Sequence, residues 1–246
     1  KREPDRRAPV SKSRPSGAPM SEPGPFASSP CMACEIAPDY FDPLAVDQEQ
    51  ARDVARWRKA ERARLLADRQ ALSVSQRRAA ADMIAARVDT LFAERFPSVD
   101  GLTLSAWWPI KAELNLRPWL ESLLARGARV TLPVVTAPSA PLAFRLWTPD
   151  CRMVQGFWKI PVPADGPEVV PDLTLAPLVG WDPAGFRLGY GGGYFDRTLA
   201  VLSPRPMTIG IGLQSARLAT IFPQPHDIPL NVILTEAGIQ CQGERP

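Results

Sequence analysis

From residue 102 onward, short apolar runs alternate with helix-like segments, and that alternation admits few folds. Strand-like runs stand at 102–108, Arg129–Val135, Leu142–Trp147, 175–179, 208–212 and Val232–Thr235. A helix is predicted over 115–126, stopped by Gly127, with shorter helical pieces near 194–202 and 215–221. Two longer helices come first. Residues 48–70 are rich in Ala, Arg, Glu and Leu, with no Gly or Pro. Ser73-Val-Ser-Gln76 then opens a second helix through a capping box. Its apolar face carries Ile84, Val88, Leu91 and Phe92, and it ends before Pro97. The proline-rich stretch 148–176 is expected to be mostly irregular. The expectation is an α/β fold, a layered and mostly parallel sheet with flanking helices.

Residues 1–47 read differently. They hold nine of the 28 prolines, many Ser, Gly and Arg, and no periodic apolar pattern. Such a segment buries too little surface to offset its ordering entropy, so a flexible tail is expected there. The globular domain is expected over 48–240, with a short tail at 241–246. Cys31-Met-Ala-Cys34 in the first tail is a CxxC. A zinc site would need distant help from Cys151, Cys241 or His226, and a redox role would want a helix N-terminus beside a strand. Coincidence or a tail-specific use is the simpler reading.

Composition narrows the function classes. No apolar run approaches the ~20 residues of a membrane-spanning helix. Lys+Arg 29 against Asp+Glu 26 gives only +3, and the surplus gathers in the first twenty residues, unlike a nucleic-acid binder. His226 is the single histidine, which excludes zinc sites built on two. Four cysteines are too few for a disulfide scaffold. With no leader pattern, a cytoplasmic monomer is the expectation.

Three segments carry candidate chemistry. In Phe186-Arg-Leu-Gly-Tyr-Gly-Gly-Gly-Tyr-Phe-Asp-Arg197, four of five positions from Gly189 to Gly193 are glycine. Backbone amides there can approach a ligand that side chains would block, and a following helix N-terminus suits phosphate. The loop is not a Walker A, since no Lys-Ser/Thr follows, nor a GxGxxG, since Tyr194 takes the last glycine position. Arg58, Arg62 and Arg69 fall on one helix face, either a phosphate-binding stripe or a solvated face balanced by Glu61 and Asp68. Trp107-Trp108-Pro109-Ile110-Lys111-Ala112-Glu113 follows a strand, where ligands bind in open α/β sheets. There an aromatic can stack on a flat heterocycle while a carboxylate accepts its N–H donors, unless Trp108 simply packs in the core.

Together these segments resemble the 5-formyltetrahydrofolate cyclo-ligase family over residues 56–236. Arg58-x-x-x-Arg62 with Arg69-Gln-Ala-Leu-Ser73 is similar to its basic helix, and Trp108-Pro-Ile-Lys-Ala-Glu113 to its substrate segment. Arg187 through Arg197 resembles its most specific signature, and His226-Asp227 and Thr235-Glu236 follow in the right order. The resemblance implies a fold shared with sugar-phosphate isomerases and CoA transferases. It also implies cyclisation of 5-formyltetrahydrofolate to 5,10-methenyltetrahydrofolate, driven by ATP and Mg2+, through a phosphorylated formyl group. No protein nucleophile is then needed, in keeping with the absence of a Ser-His-Asp pattern.

By that resemblance Arg58, Arg62 and Arg187, Leu188, Gly189, Tyr190, Gly191, Gly192, Gly193, Tyr194 and Phe195 would hold ATP. Trp108, Glu113 and Tyr190 to Tyr194 would meet the reduced folate. Asp196 would bind magnesium, with Asn231 where the family carries a second acidic ligand. Other departures are Arg58 for a lysine, Val162 for a carboxylate and Ala216 for a glutamine. They leave open a silent nucleotide- or folate-binding relative, or an enzyme acting on another N-acyl substrate. His226 is expected to order the last loop through a hydrogen bond with Asp227.

Overall fold

A computed structural model describes residues 48–243; residues 1–47, with Cys31 and Cys34, and 244–246 lie outside the described residues. Two long helices open the domain, α1 (Gln48–Ala71) and α2 (Val74–Arg95). The expected capping box at Ser73 forms in both directions, between its side chain and the Gln76 amide and between its amide and the Gln76 side chain. Ile84, Val88, Leu91 and Phe92 are all buried, and α2 packs on the sheet at its strand Val232–Thr235.

The sheet has seven strands in the order β11-β10-β9-β6-β1-β2-β3. These are β1 (Thr103–Ser105), β2 (Arg129–Val135), β3 (Leu142–Trp147), β6 (Leu173–Pro177), β9 (Met207–Ile211), β10 (Val232–Thr235) and β11 (Gly238–Gln242). β2, β1, β6, β9 and β10 run parallel, and β3 and β11 close the two edges antiparallel. Every residue of β9 and β10 is buried, as expected of strands covered on both faces. α3 (Arg117–Ala125) crosses from β1 to β2. From β1 the chain builds outward to β2, and from β6 it builds the other way to β9 and β10. The crevice beyond the carboxyl ends of β1 and β6 is therefore a topological switch point, where open α/β sheets bind ligands.

Several expectations need correction. β1 is three residues long rather than 102–108, because Trp107-Trp108-Pro109 leaves the sheet toward the crevice. The 148–176 stretch contains a small ribbon, β4 (Met153–Gln155) with β5 (Pro161–Pro163). Prolines suit a two-stranded ribbon, where an edge needs no donor. The helix expected at 215–221 is only a single turn at Gln214–Ala216. β11 carries the sheet past residue 240, so the segment from 241 is not all tail.

A further hairpin, β7 (Gly180–Trp181) and β8 (Arg187–Leu188), leads into the glycine-rich loop and α4 (Tyr194–Val201). Buried Asp182 holds it. One carboxylate oxygen accepts the amides of Ala184 and Phe186 at 3.0 and 3.1 Å, and the other accepts that of Ile221 at 3.0 Å. No helix of the described residues is long and apolar enough to cross a membrane.

Candidate active site

A cleft of about 580 Å³ lies at the switch point, within the range of small-molecule sites. Its wall combines the end of β1 through Glu113, inward residues of β2 and β3, the face of α1 and the loop from Arg187 to Asp196. All three candidate segments thus meet in one place.

The glycine-rich loop supplies donors. Among the described residues, no backbone amide from Gly189 to Asp196 donates to another protein group. Gly191 (φ +95°) and Gly193 (φ +62°) need the left-handed region, which explains glycine at those two positions. Gly193 also leads into α4, so free amides and a helix N-terminus face the same space. Arg197 bonds back to the Gly192 carbonyl and lies 5.0 Å from the Tyr194 ring centroid, bracing the turn.

The arginine stripe faces inward, not to solvent. Arg58 is buried and fully engaged: Nε bonds the Ile221 carbonyl and Nη2 the Phe222 carbonyl, both at 2.9 Å, while Nη2 pairs with Asp227 at 2.5 Å. It braces the 221–227 segment and also lines the cleft. Arg62 donates Nε to the Gly189 carbonyl at 2.6 Å and lines the cleft, its pKa drawn down by burial and by Arg58. Arg69 donates Nη2 to the Tyr190 hydroxyl at 2.6 Å. Arg187 lies beneath the loop, pairing with Asp196 at 2.6 Å and stacking 4.6 Å from the Phe195 ring centroid.

Glu113 forms the opposite wall. It is buried; one oxygen accepts the Ile110 amide at 2.9 Å and the other accepts the Tyr190 hydroxyl at 2.8 Å. Burial pushes its carboxyl above the ordinary range, while those two bonds and nearby Arg69 and Lys111 oppose the shift. Lys111 (φ +46°) and Ala112 (φ +60°) both sit in the left-handed region just before it. Strain of that kind gathers at functional loops. Trp108 lines the cleft beneath the Arg117 guanidinium, which lies 4.6 Å from its ring centroid, and Trp107, the more buried of the two, also reaches the cleft wall.

Other expected residues lie elsewhere. Asn231 does not line the cleft that Asp196 lines; its side-chain oxygen accepts the Thr208 amide and hydroxyl at 2.8 and 2.9 Å. Among the described residues, no cluster of three His, Cys, Asp or Glu could cage a metal. Val162 is buried and outside the cleft lining, next to Ile160 and Pro161, which line it. His226 is exposed and 3.9 Å from Asp227, beyond hydrogen-bond reach, so Arg58 rather than His226 orders that loop.

The chain matches the 5-formyltetrahydrofolate cyclo-ligase family over residues 54–236. It belongs to that family. The cyclo-ligase of Escherichia coli K12 is 32% identical over 150 residues, spanning 58% of this chain and 82% of that protein. The one from Mycolicibacterium smegmatis is 31% identical over 145 residues, 56% and 75% of the two chains. The NMR structure of Aquifex aeolicus 5,10-methenyltetrahydrofolate synthetase superposes with a TM-score of 0.65 at 25% identity, covering 77% of this chain and 94% of that one. The synthetase of Mycoplasma pneumoniae shares the fold, with a TM-score of 0.58 at 24% identity over 73% and 98%.

In this cyclo-ligase family member Trp158 escaped the sequence reading, while Arg69 and Asp227 were named there without their partners. Trp158 lines the cleft from the turn between β4 and β5, its ring 5.4 Å from that of Tyr194. Only the ribbon brings it there, and the prolines hid the ribbon. Arg69 and Asp227 gain their partners through contacts across the fold that no local spacing reveals.

Burial pushes the Asp227 carboxyl up, but bonds from Arg58 and the Gln224 amide outweigh it and hold the group below the ordinary carboxylate range. Its stabilising effect is therefore present above the unfolded pKa and fades as pH falls through the lower folded value. Asp227→Asn is expected to lower urea midpoints at neutral pH and flatten the acid loss that sets in below the unfolded carboxylate value of about 4. Urea melts across that range check this; an unchanged slope contradicts it.

Proposed function

We propose that the chain cyclises 5-formyltetrahydrofolate to 5,10-methenyltetrahydrofolate at the cost of one ATP, releasing ADP and phosphate. The observation that carries this reading is the Tyr190 hydroxyl bonded to Glu113. It joins the amide-rich loop, suited to phosphates, to a buried carboxylate suited to the N–H donors of a pterin. Both substrates would then share one cleft, as direct phosphoryl transfer requires.

The formyl oxygen on N5 attacks the γ-phosphorus, and the bond to the ADP oxygen breaks. N10 then adds to the activated formyl carbon, loses its proton, and phosphate departs with the C–O bonding pair. The protein needs to align reactants and neutralise charge rather than supply a nucleophile. In this reading the amides of 189–196 and Arg62 cradle the phosphates, while Glu113 and Trp108 hold the pterin. Arg187 and Arg58 shape the site from behind.

Asp196 fits a metal that arrives with the nucleotide. Its Oδ1 is taken by Arg187 and the Ile228 amide, while Oδ2 has no partner among the described residues. One such oxygen would suffice beside phosphate and water ligands for magnesium. When bound, the ion would supply positive charge to the triphosphate.

The test is to incubate purified protein with 5-formyltetrahydrofolate, ATP and magnesium, following methenyl product by absorbance and ADP by chromatography. Both products, each dependent on every component, are expected. ADP alone would point to a different acyl acceptor. Neither product from folded protein would overturn the catalytic reading in favour of a binding relative.

A further inference from the structure

Arg69 stands out among the buried charges because, among the described residues, no carboxylate is within hydrogen-bond or ion-pair reach of it. It is 7% exposed at the end of α1. Its only short contact is Nη2 to the Tyr190 hydroxyl, 2.6 Å; Nη1 reaches the Leu178 carbonyl at a long 3.4 Å. Tyr190 in turn donates its hydroxyl hydrogen bond to the Glu113 oxygen at 2.8 Å. Burial and the Glu113 charge push the Tyr190 hydroxyl well above its ordinary range, so it remains a donor. The order is therefore fixed: guanidinium to hydroxyl to carboxylate. The other charged groups around this trio are Lys111, with Nζ 5.3 Å from the Tyr190 ring centroid, Asp68, which lines the same small cavity as Arg69 and Glu113, and Arg62, which lines the cleft beside Tyr190.

A second observation points the same way. Arg69 Nε and Trp107 Nε1 are buried donors without a partner among the described residues. Both side chains line a cavity of about 20 Å³ directly behind Glu113, which Glu113 also lines. One water needs on the order of 10–15 Å³ and two or more polar partners, so the space suits a water bonded to both donors. A guanidinium so arranged has five donors in fixed directions, which a lysine does not reproduce.

We propose that Arg69 is a positioning residue for Glu113, acting through the Tyr190 hydroxyl and not on the nucleotide. The inference deepens the folate reading above and rests on it for its consequence in catalysis. Its immediate effect is on Glu113 alone: a cation two hydrogen bonds away favours the ionised carboxylate against the burial that opposes it. Removing the cation leaves the carboxyl to take up its proton at a higher pH.

The experiment is a double-mutant cycle of Arg69→Gln and Tyr190→Phe, with Arg69→Lys as the conservative control. Carboxyl-labelled glutamate gives the Glu113 titration by NMR without any substrate, and Glu113→Gln assigns its signal. Arg69→Gln is expected to raise the Glu113 midpoint by about one pH unit. In the Tyr190→Phe background the same change should add little, since the bridge is already gone. Arg69→Lys should restore part of the shift. Folate binding should weaken about tenfold with its acid limb moved upward by the same shift, while the ATP dissociation constant stays within twofold.

An unmoved midpoint in folded Arg69→Gln, additive effects in the cycle, or equal loss of ATP affinity would each overturn the proposal. If Arg69→Gln does not fold, Arg69→Lys and Tyr190→Phe still decide it, because both must move the midpoint. A wild-type protein inactive on 5-formyltetrahydrofolate, yet with a coupled Glu113 titration, would sink the folate reading and leave the relay standing.

Discussion

Glu113→Gln is expected to weaken folate binding about 100-fold while leaving global stability within about 1 kcal/mol of the parent, because hydrogen bonds to a charged group contribute roughly 1.5–3 kcal/mol and 1.4 kcal/mol is a factor of ten. The two halves of that result have one cause. Burial raises the Glu113 pKa above its unfolded value. A carboxyl shifted that way binds its proton more readily in the folded chain. Stability therefore falls as pH rises from the unfolded value through the folded one, and the ionised group at neutral pH is a net cost. Glutamine removes the cost along with the charge. It can still accept from Tyr190, but its amide cannot also satisfy the Ile110 N–H with the same geometry. Calorimetric titration with 5-formyltetrahydrofolate and with ATP, beside urea melts, separates the effects. Equal losses for both ligands would show that Glu113 supports the whole cleft rather than the pterin end. A large drop in stability would show a structural role instead.

That trade between stability and function explains which parts of the molecule could be read from sequence. The parallel strands were legible because strands buried on both faces read as near-continuous apolar runs, broken only by small residues such as Thr208, Gly210 and Thr235 in Met207–Ile211 and Val232–Thr235. The second helix was legible because Ser73 and Gln76 satisfy its first amides by local bonds. The Gly189–Gly193 loop was legible too, since a run of glycines has few structural uses. Arg58 was placed on the correct face but not with its partners, since spacing gives a direction and never a contact. Its donors meet the 221–227 segment more than 160 residues away in sequence. Asn231 was likewise named without its partner: its side-chain oxygen accepts the Thr208 amide and hydroxyl in β9, a contact that sequence order does not reveal.

Breaking the Arg187–Asp196 pair from either side is expected to cost about 3–5 kcal/mol, a large share of the roughly 5–15 kcal/mol that stabilises a domain. Both side chains are largely buried, and the pair is 2.6 Å apart. Burial draws the Arg187 pKa down and Asp196 opposes that shift. An arginine does not shed its proton in proteins, so Asp196→Leu leaves a stranded cation. Arg187→Met strands the carboxylate, which keeps only the Ile228 amide as a donor. The double variant Arg187→Met with Asp196→Leu should recover most of the lost stability, because replacing both charges removes two desolvation penalties at once. It should not recover nucleotide affinity, since Asp196 Oδ2 is the loop's only carboxylate oxygen left for a nucleotide-borne cation. Urea melts of the four proteins, with ATP titrations in magnesium, test both statements. Single variants within 1 kcal/mol of the parent would show that the pair contributes nothing to the fold. A stable double variant that still bound ATP with magnesium would remove Asp196 from the site, leaving the free amides and Arg62 as the whole of the phosphate cradle.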